Sequence, residues 1–491
     1  MDTETTEADA VDRDSLIVSL RAFLPEHCLL SEAESLRPYE CDALTAYRQC
    51  PMLVCLPETI EQVQGVLRTC HQLGVPVVAR GAGTGLSGGA LPLAEGVLLS
   101  LAKFNRILEI DPVNRLARVE PGVRNLAVTE AASRYGLYYA PDPSSQIACT
   151  IGGNVAENSG GVHCLKYGLT VHNIAAMKIL SCDGHLLELG ARAFDSPGYD
   201  LPALMSGSEG LLGVIVEVTL PTPESTRVLL AAFDSVTAAA DAVASVIAAG
   251  IVPAGLELMD NPAIRAAEDY ARAGYPVDAA AILLCELDGN EAEAAAQVER
   301  VRACLLAAHA KEIRLATDAA ERKRFWAGRK AAFPAVGRLA PDYYCMDGTI
   351  PRRRLPEVLR QIADWSEEYG LAVANVFHAG DGNLHPLILY DANKPGELER
   401  TEEFGGRILE LCLAVGGTIT GEHGVGVEKL PQMCAQFGAD ELRQFHLIKD
   451  AFDPRRLLNP GKAVPSLHRC AEIGRMHVHA GKMPFPELER F

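Results

Sequence analysis

Closely paired cysteines are missing from this sequence: its 14 cysteines are spread over 491 residues, and no two stand at C-x-x-C spacing. Iron–sulfur clusters are held by closely spaced cysteine thiolates, so we predict that the chain carries no such cluster itself. Scattered cysteines in a chain of this length indicate reduced thiols, which are typical of a cytosolic protein.

Basic residues are also scarce, because 45 Lys and Arg stand against 64 Asp and Glu and give a formal net charge of −19. Contacts to phosphate groups need clustered Lys and Arg, so this balance argues against binding to nucleic acid. The one dense basic run, Arg352-Arg353-Arg354, is interpreted as the solvated start of a helix.

Long apolar runs are absent as well. The longest weakly charged stretch, residues 242–256, is too short to span a bilayer and contains Gly and Pro. The N-terminal residues MDTETTEADAVDRD are acidic and polar, whereas a signal peptide is basic and then apolar. We therefore expect a cytoplasmic protein without direct membrane insertion, whose 48% hydrophobic content supplies cores for two or three domains.

The pattern of predicted strands and helices changes near residue 224. Residues 53–80 predict a strand–helix–strand unit, after which short strands and turns follow. Beyond the PTPEST segment, strands alternate with longer helices, which we predict at 235–249, 291–310, 353–369 and 396–415. This rhythm predicts an α+β domain in which helices cover one face of an antiparallel sheet. The predicted domains are residues 1–224, with a core from about 50, and residues 225–491.

A glycine cluster, RGAGTGLSGGA at 80–90, directly follows the second strand of the opening unit. A Rossmann loop would open a helix at this point, but the chain turns through Pro92 and Gly96 into another strand. The exposed backbone N–H groups of so many glycines suit a pyrophosphate. A flexible surface loop explains this cluster equally well when it is considered alone.

Two further glycine clusters favour a ligand. They are IGGNVAENSGG at 151–161 and SGSEGLLGVI at 206–215, and the proline-framed turn APDPSS at 140–145 precedes the first of them. Three such segments in one predicted domain indicate backbone that lines a long, extended ligand, for which a dinucleotide is the natural candidate.

The order of these motifs resembles the vanillyl-alcohol oxidase and p-cresol methylhydroxylase flavoprotein family along essentially the whole chain. Within that family the chain resembles the FAD-linked subunits of bacterial glycolate oxidases, with D-lactate and D-2-hydroxyglutarate dehydrogenases as near relatives. The resemblance implies a two-part FAD-binding domain of the p-cresol methylhydroxylase type. It also implies an α+β substrate or cap domain, whose tail from about residue 440 packs back toward the FAD domain.

The resemblance assigns FAD to the glycine clusters and to the turns between them. Some members attach the flavin through a histidine near the first cluster, but this chain has none between His71 and His163, so we expect non-covalent FAD. The residues predicted to bind the cofactor are Arg80, Gly81, Ala82, Gly83, Thr84, Gly85, Ser87, Gly88, Gly89, Pro141, Asp142, Ser144, Gly152, Gly153, Asn154, Glu157, Asn158, Gly160, Gly161, Tyr167, Gly168, Glu209, Gly210, Gly213, Val214, Ile215 and Asn459.

The segment FHAGDGNLHP at 377–386 carries two histidines on either side of a glycine-rich turn. If residues 380–383 form a four-residue hairpin loop, His378 pairs with His385 and both side chains share one face. For this motif alone, two histidines that face solvent are the alternative. TGEHGVG at 420–426 offers Glu422 as a third ligand, and a His, His, Glu set suits zinc, iron or manganese.

In the 2-hydroxy-acid dehydrogenases that the chain resembles, the residues matching His378, His385 and Glu422 hold a divalent metal. The residue that matches His423 is the general base. Arg329, in an F-W-x-x-R match, is predicted to bind the substrate carboxylate, although an exposed helical arginine is the alternative. The implied reaction oxidises a small 2-hydroxy acid to the 2-oxo acid, with proton abstraction by His423 and hydride transfer to flavin N5.

The resemblance also bears on substrate size. The 2-hydroxyglutarate enzymes carry polar and basic residues where this chain has Phe333, Cys345 and Leu387, which favours glycolate or D-lactate. A stand-alone D-lactate or D-2-hydroxyglutarate dehydrogenase is the alternative, and a zinc hydrolase is the alternative from a different class.

His477 and His479 in HVH are interpreted as part of a packing segment.

Partner subunits are expected because this chain lacks iron–sulfur cysteines of its own. The resemblance implies an iron–sulfur subunit and a second flavin-type subunit in a glycolate oxidase complex. Such partners would hold a cytoplasmic protein peripherally at the inner membrane.

Overall fold

The computed structural model describes residues 12–192, 198–222, 227–288 and 291–465, so His477 and His479 lie outside the described residues. The strands in these ranges are β1 (Leu29–Leu30), β2 (Leu53–Cys55), β3 (Val77–Arg80), β4 (Val97–Ser100), β5 (Ile107–Asp111), β6 (Leu116–Val119), β7 (Ala176–Leu180), β8 (Leu186–Gly190), β9 (Val214–Pro221), β10 (Arg227–Phe233), β11 (Gly255–Asp260), β12 (Ala281–Leu287), β13 (Glu312–Leu315), β14 (Asp342–Cys345), β15 (Val373–Phe377) and β16 (Pro386–Tyr390).

The α-helices of the described ranges connect and cover these strands. They are α1 (Arg13–Arg21), α2 (Ala33–Leu36), α3 (Ile60–Leu73), α4 (Asn125–Ala132), α5 (Ile151–Glu157), α6 (Cys164–Tyr167), α7 (Leu201–Met205), α8 (Val236–Ala248), α9 (Asn261–Ala271), α10 (Glu291–Ala307), α11 (Ala319–Lys330), α12 (Ala332–Val336), α13 (Leu355–Tyr369), α14 (Glu397–Ala414), α15 (Leu430–Gln436) and α16 (Ala439–Phe452).

The first sheet has the strand order β1-β2-β4-β3, and β2, β4 and β3 run parallel. Helix α3 connects β2 to β3. It is capped by the Thr59 side chain and ended by Gly74 in the left-handed conformation, and it buries its apolar residues in the core of this sheet. The predicted strand–helix–strand opening is confirmed, and β3 runs directly into the first glycine cluster.

The second sheet is antiparallel, with the order β5-β6-β9-β7-β8. Its inner face packs against α5, whose residues Ile151 and Val155 share a core with Met177 of β7 and Val218 of β9. The first part of the second glycine cluster, residues 151–157, therefore lies on a helix that rests on this sheet.

The third sheet is antiparallel and seven-stranded, with the order β13-β10-β12-β11-β15-β16-β14. The helices predicted at 235–249, 291–310, 353–369 and 396–415 are confirmed as α8, α10, α13 and α14, and they share one core with one face of the sheet. The prediction of helices on one face only was wrong, because α9, α11 and α12 share a second core with the opposite face. The continuous apolar runs of β10 and β12 bury side chains on both faces.

The segment after α16 returns to the first sheet. Leu458 forms a parallel bridge with Val77 of β3 and joins the core of that sheet. The Asn459 N–H donates a hydrogen bond to Val77 O at 2.8 Å. A late segment of the chain therefore lies beside the strand that leads into the first glycine cluster.

Among the helices of the described residues, none combines the length and the apolar character needed to cross a bilayer.

Candidate active site

The three glycine clusters meet around a cavity of about 480 Å³, which extends to His385, Glu422 and His423. Glycine is required where these segments touch. A Cβ on Gly81 would lie 2.2 Å from Thr150 Oγ1, and a Cβ on Gly152 would lie 2.6 Å from Pro121 Cβ. The first two clusters therefore pack closely against neighbouring segments, which a flexible surface loop would not.

Most of the residues predicted to bind the cofactor line this cavity. They are Arg80, Gly81, Ala82, Gly83, Thr84, Gly85, Gly89, Ser144, Gly152, Gly153, Asn154, Glu157, Glu209, Gly210, Gly213 and Ile215. The remaining ones do not line the cavity, and they are Ser87, Gly88, Pro141, Asp142, Asn158, Gly160, Gly161, Tyr167, Gly168, Val214 and Asn459.

Several residues of the second group connect the cavity to its surroundings. The Asn459 side chain donates to Gly89 O at 3.0 Å and to Glu209 O at 2.6 Å, so it joins the first cluster to the third. The Gly160 N–H donates to Glu422 Oε2 at 2.8 Å. The second glycine cluster therefore touches the histidine site directly, a contact that the sequence did not predict.

The histidine hairpin forms, but its register differs from the predicted one. His378 pairs with Asn383, and the Val376 N–H donates to His385 O at 3.3 Å, so the four-residue loop is 379–382. The prediction that His378 pairs with His385 was therefore wrong by two residues. A shift of two keeps side chains on the same face, and the ring centroids of the two histidines lie 5.0 Å apart.

Strand pairing brings two carboxylates to this face. β11 pairs with β15 so that Leu258 faces Phe377, which places Glu257 level with His378. The Glu257 carboxylate accepts a hydrogen bond from His378 Nδ1 at 2.9 Å. β14 pairs with β16 so that Cys345 faces Leu387, and the Asp347 Oδ1 atom lies 3.4 Å from His385 Nε2.

The loop between α14 and α15 completes the site. Glu422 Oε1 lies 3.1 Å from His378 Nε2 and 3.3 Å from His385 Nε2. Possible ligand atoms of these three buried residues all lie within 4.8 Å of one another. The His423 ring stacks on His385, with a centroid distance of 4.8 Å. Two histidines, one glutamate and a neighbouring histidine thus converge at one end of the cavity.

The charges of these residues follow from burial and from their neighbours. Burial alone would raise the pKa of Glu422, but the charge of His378 beside it lowers that pKa to about 2. Burial lowers the pKa of His423 to about 4. Near neutral pH, Glu422 is therefore an anion and His423 is a neutral imidazole that can accept a proton.

Arg329 is fully buried at 0% exposure and does not line the cavity. Its Nη2 atom lies 2.6 Å from Glu257 Oε2, while Nε and Nη1 have no hydrogen-bond partner among the described residues. Arg329 therefore stands behind the carboxylate that orients His378. The adjacent Lys330 does line the cavity, and its Nζ donates to Asp142 Oδ2 at 2.8 Å.

Of the three positions expected to set substrate size, only Phe333 lines the cavity. Its ring lies 5.8 Å from the His385 ring and 6.3 Å from the Tyr343 ring, centroid to centroid. Cys345 and Leu387 are buried in the core on the α9 face of the third sheet. The wall beside the histidines is therefore aromatic.

The residues present fit both groups that the resemblance implies. The Asn154 Nδ2 atom is buried beside the cavity without a hydrogen-bond partner in the described ranges, so it is available to a polar ligand such as FAD. His378 presents Nε2 to Glu422 while its Nδ1 is held by Glu257, the arrangement in which a carboxylate orients a metal-ligating histidine.

Comparison with known proteins places this fold and site in a class. Residues 51–190 match the FAD binding domain family, and residues 222–463 match the family of FAD linked oxidases, C-terminal domain. A crystal structure of p-cresol methylhydroxylase with substrate bound shares the fold, with a TM-score of 0.78 and 17% identity over 93% of this chain and 97% of that one. The molecule is therefore a flavoprotein of the p-cresol methylhydroxylase fold type.

Its curated relatives narrow the class to a family. The glycolate oxidase subunit GlcD of Escherichia coli (strain K12) is 65% identical over 484 residues, which cover 98% of this chain and 97% of that protein. A D-lactate dehydrogenase of Anaerostipes hadrus is 31% identical over 460 residues, or 91% of this chain and 96% of that protein. The chain belongs to the FAD-linked oxidases.

Proposed function

We propose that this protein is the flavin subunit of a glycolate oxidase complex and that it oxidises glycolate, or D-lactate, to the 2-oxo acid. The observation that carries this proposal is the convergence of His378, His385, Glu422 and His423 at one end of the glycine-lined cavity. The high identity to a glycolate oxidase subunit supports the same substrate class.

We assign separate roles in binding the metal and FAD to the residues of the chain. His378, His385 and Glu422 would hold a divalent zinc, iron or manganese ion, and the glycine clusters would hold non-covalent FAD. When bound, FAD supplies the hydride acceptor and the metal supplies a Lewis acid that acidifies the substrate hydroxyl. When His378 gives up its charge to bind a metal, the Glu257 carboxylate would hold the proton on Nδ1 and leave Nε2 facing Glu422 as the ligand atom.

His423 is the proposed general base. Its imidazole is neutral near pH 7 because burial lowers its pKa, so it can accept the proton of a substrate hydroxyl. Stacking on His385 fixes the plane of the ring next to the proposed metal ligands. His423 would accept the proton of a substrate hydroxyl that a bound metal has acidified.

Arg329 is the proposed partner of the substrate carboxylate. Its buried guanidinium has two nitrogen atoms, Nε and Nη1, without hydrogen-bond partners among the described residues. Such unpaired buried donors are costly, and a substrate carboxylate would satisfy them if the guanidinium turned from its place behind Glu257 toward the cavity, which it does not line. The wall beside His385 is aromatic, formed by Phe333 and Tyr343, which supports a small acid without a second carboxylate on that side.

The complex would contain an iron–sulfur subunit and a second flavin-type subunit, which receive electrons from this chain. These partners would keep a cytoplasmic protein at the inner membrane. Within the chain we infer that residues 1–224 bind FAD and that residues 225–491 bind substrate and metal. The contact of Leu458 with Val77 supports a tail that packs back on the FAD domain.

The test is anaerobic reduction of the bound flavin by each candidate substrate. The loss of the visible flavin absorbance measures this reduction. We expect glycolate or D-lactate to bleach the flavin, and D-2-hydroxyglutarate and L-lactate to be much slower. Faster bleaching by D-2-hydroxyglutarate would favour a D-2-hydroxyglutarate dehydrogenase instead. A colourless purified protein would favour the zinc hydrolase alternative.

Variants of two histidines separate the proposed roles. We expect His423→Ala to keep FAD and metal but to reduce the rate of flavin reduction at least about 100-fold, because general-base catalysis contributes on this scale. We expect His378→Ala to lower metal content as well. His446→Ala, whose ring contacts Pro465 O, is the matched control. Normal flavin reduction in the His423 variant would contradict its assignment as the base.

A further inference from the structure

Asp347 lies beneath the loop that carries Glu422 and His423, and it is fully buried at 0% exposure. Its Oδ2 atom accepts hydrogen bonds from the backbone N–H groups of Gly421 at 3.1 Å and His423 at 2.9 Å, and its Oδ1 atom accepts one from the Glu422 N–H at 3.1 Å. One carboxylate therefore binds three consecutive N–H groups of this loop.

A second charged residue holds this carboxylate in place. Lys429, which is also fully buried, donates from Nζ to Asp347 Oδ2 at 3.1 Å and to Gly424 O at 2.9 Å. The Thr420 hydroxyl donates to Asp347 Oδ2 at 2.6 Å. The loop is thus tied to Asp347 from both of its ends.

The position of Asp347 in the sheet links this loop to the histidine hairpin. Asp347 follows β14, and its Oδ1 atom lies 3.4 Å from Nε2 of His385, the residue just before β16. The Gly421 N–H also donates to the Asp347 backbone carbonyl at 2.7 Å. The same residue therefore fixes the loop with the glutamate and base relative to the hairpin with the two histidines.

We propose that Asp347 is a positioning residue, which sets Glu422 and His423 against His378 and His385 and so builds the metal-binding geometry. This inference rests on the proposed function, because it assigns Asp347 a role in that same site. Replacing a carboxylate that orients metal ligands through hydrogen bonds typically lowers metal affinity or activity by about 10- to 100-fold.

Asp347→Asn is the direct test, because the amide keeps the shape but has one acceptor oxygen instead of two. Its NH₂ group would face backbone donors and the Lys429 ammonium. In the full-length protein we expect the flavin absorbance to be retained, while the affinity for Zn²⁺ in competition with a chelator falls about 10- to 100-fold. At saturating Zn²⁺ we expect kcat for flavin reduction to remain lowered, with KM little changed.

Asp260→Asn is the matched control. Asp260 is also buried, at 6% exposure, and accepts hydrogen bonds from the Asn375 and Ala263 N–H groups at 3.0 and 3.2 Å. It lies outside the histidine site, so its loss would affect stability without affecting Zn²⁺ affinity. Asp347→Glu keeps the charge and both acceptor oxygens, and we expect it to recover part of the Zn²⁺ affinity lost in Asp347→Asn.

The outcomes separate this proposal from the proposed function. Wild-type Zn²⁺ affinity and kcat in Asp347→Asn would overturn the role of Asp347, and so would equal losses of Zn²⁺ affinity in Asp260→Asn. If Asp347→Asn does not retain FAD, Asp347→Ser, which removes the carboxylate, carries the test, and wild-type Zn²⁺ affinity and kcat in that variant would overturn the role. A wild-type protein that binds no metal and is reduced by no 2-hydroxy acid would instead overturn the proposed function.

Discussion

At the scale of single residues, Gly160 shows how closely the two halves of the site approach. Its N–H donates to Glu422 Oε2, and a Cβ at this position would lie 2.6 Å from the same oxygen and 2.8 Å from Cys164 Sγ. We expect Gly160→Ala to displace the Glu422 carboxylate and to lower metal affinity about 10-fold or more, with FAD retained. Metal titration of the purified flavoprotein measures this change. Gly337→Ala is the control, because its Cβ would make only an ordinary contact at 3.4 Å, and equal losses in both variants would contradict the prediction.

At the scale of elements, the histidine hairpin depends on its turn. Gly382 has φ +88°, and a Cβ there would lie 2.2 Å from Ile350 O, while the Arg352 side chain binds Gly380 O at 2.9 Å. We expect Gly382→Ala to cost at least about 1–3 kcal/mol of unfolding free energy and to lower metal content, because the strain moves the two histidines apart. Thermal unfolding and metal analysis test this together. Gly370 also has a positive φ, but a Cβ there would meet no atom within 4 Å. Gly370→Ala should therefore lower the free energy of unfolding somewhat and leave the metal content unchanged.

At the scale of the whole molecule, a buried charge network joins the segment before α5 to the third sheet. His163 Nδ1 lies 2.9 Å from Asp142 Oδ1 and His163 Nε2 lies 3.5 Å from Glu286 Oε1, while Lys330 also binds Asp142. Burial alone would lower the pKa of His163, but the charge of Asp142 raises it to about 10. The charged form of His163 therefore stabilises the folded state. This stabilisation is complete below the pKa of histidine in the unfolded state, about 6.5, and is lost as the pH rises toward the pKa of His163 in the folded state.

We therefore expect wild-type Tm to fall between about pH 7 and 10, and His163→Gln to lack this part of the fall. Removing one partner of a buried ion pair costs about 3–5 kcal/mol, so the variant should also be less stable at pH 7. Scanning calorimetry across this pH range measures both effects. His185→Gln, at an exposed histidine paired with Asp183, should follow the wild type, and a His163 variant with the wild-type pH profile would contradict the prediction.

The sequence predicted the parts of the molecule that depend on local pattern. Helix α3 and the helices of the third sheet follow from apolar spacing, and the hairpin follows from the glycines between its histidines. The hairpin register did not follow, because pairing of Asn375 with Pro386 in the strands decides which loop forms. Helices on both faces were missed, although the apolar runs of β10 and β12 carried the signal.

Glu257 and Asp347 were missed for a different reason. They reach the histidines only through the pairing of β11 with β15 and of β14 with β16, which joins segments far apart in the chain. Glu257 did leave a local signal, because a glutamate within the apolar strand GLELMD needs a partner when it is buried. Asp347 lies within CMDGTIP at 345–351, a segment that carries no such pattern.

The bridge between Val77 and Leu458 has a consequence for biosynthesis. A ribosome delivers β3 early and the segment around Leu458 only after all strands of the third sheet. The first sheet therefore gains this neighbour, and the Asn459 contact between two glycine clusters, only after the third sheet has been synthesised. Until the segment around Leu458 emerges, the nascent first sheet exposes the edge of β3, which makes chaperone protection important in that interval.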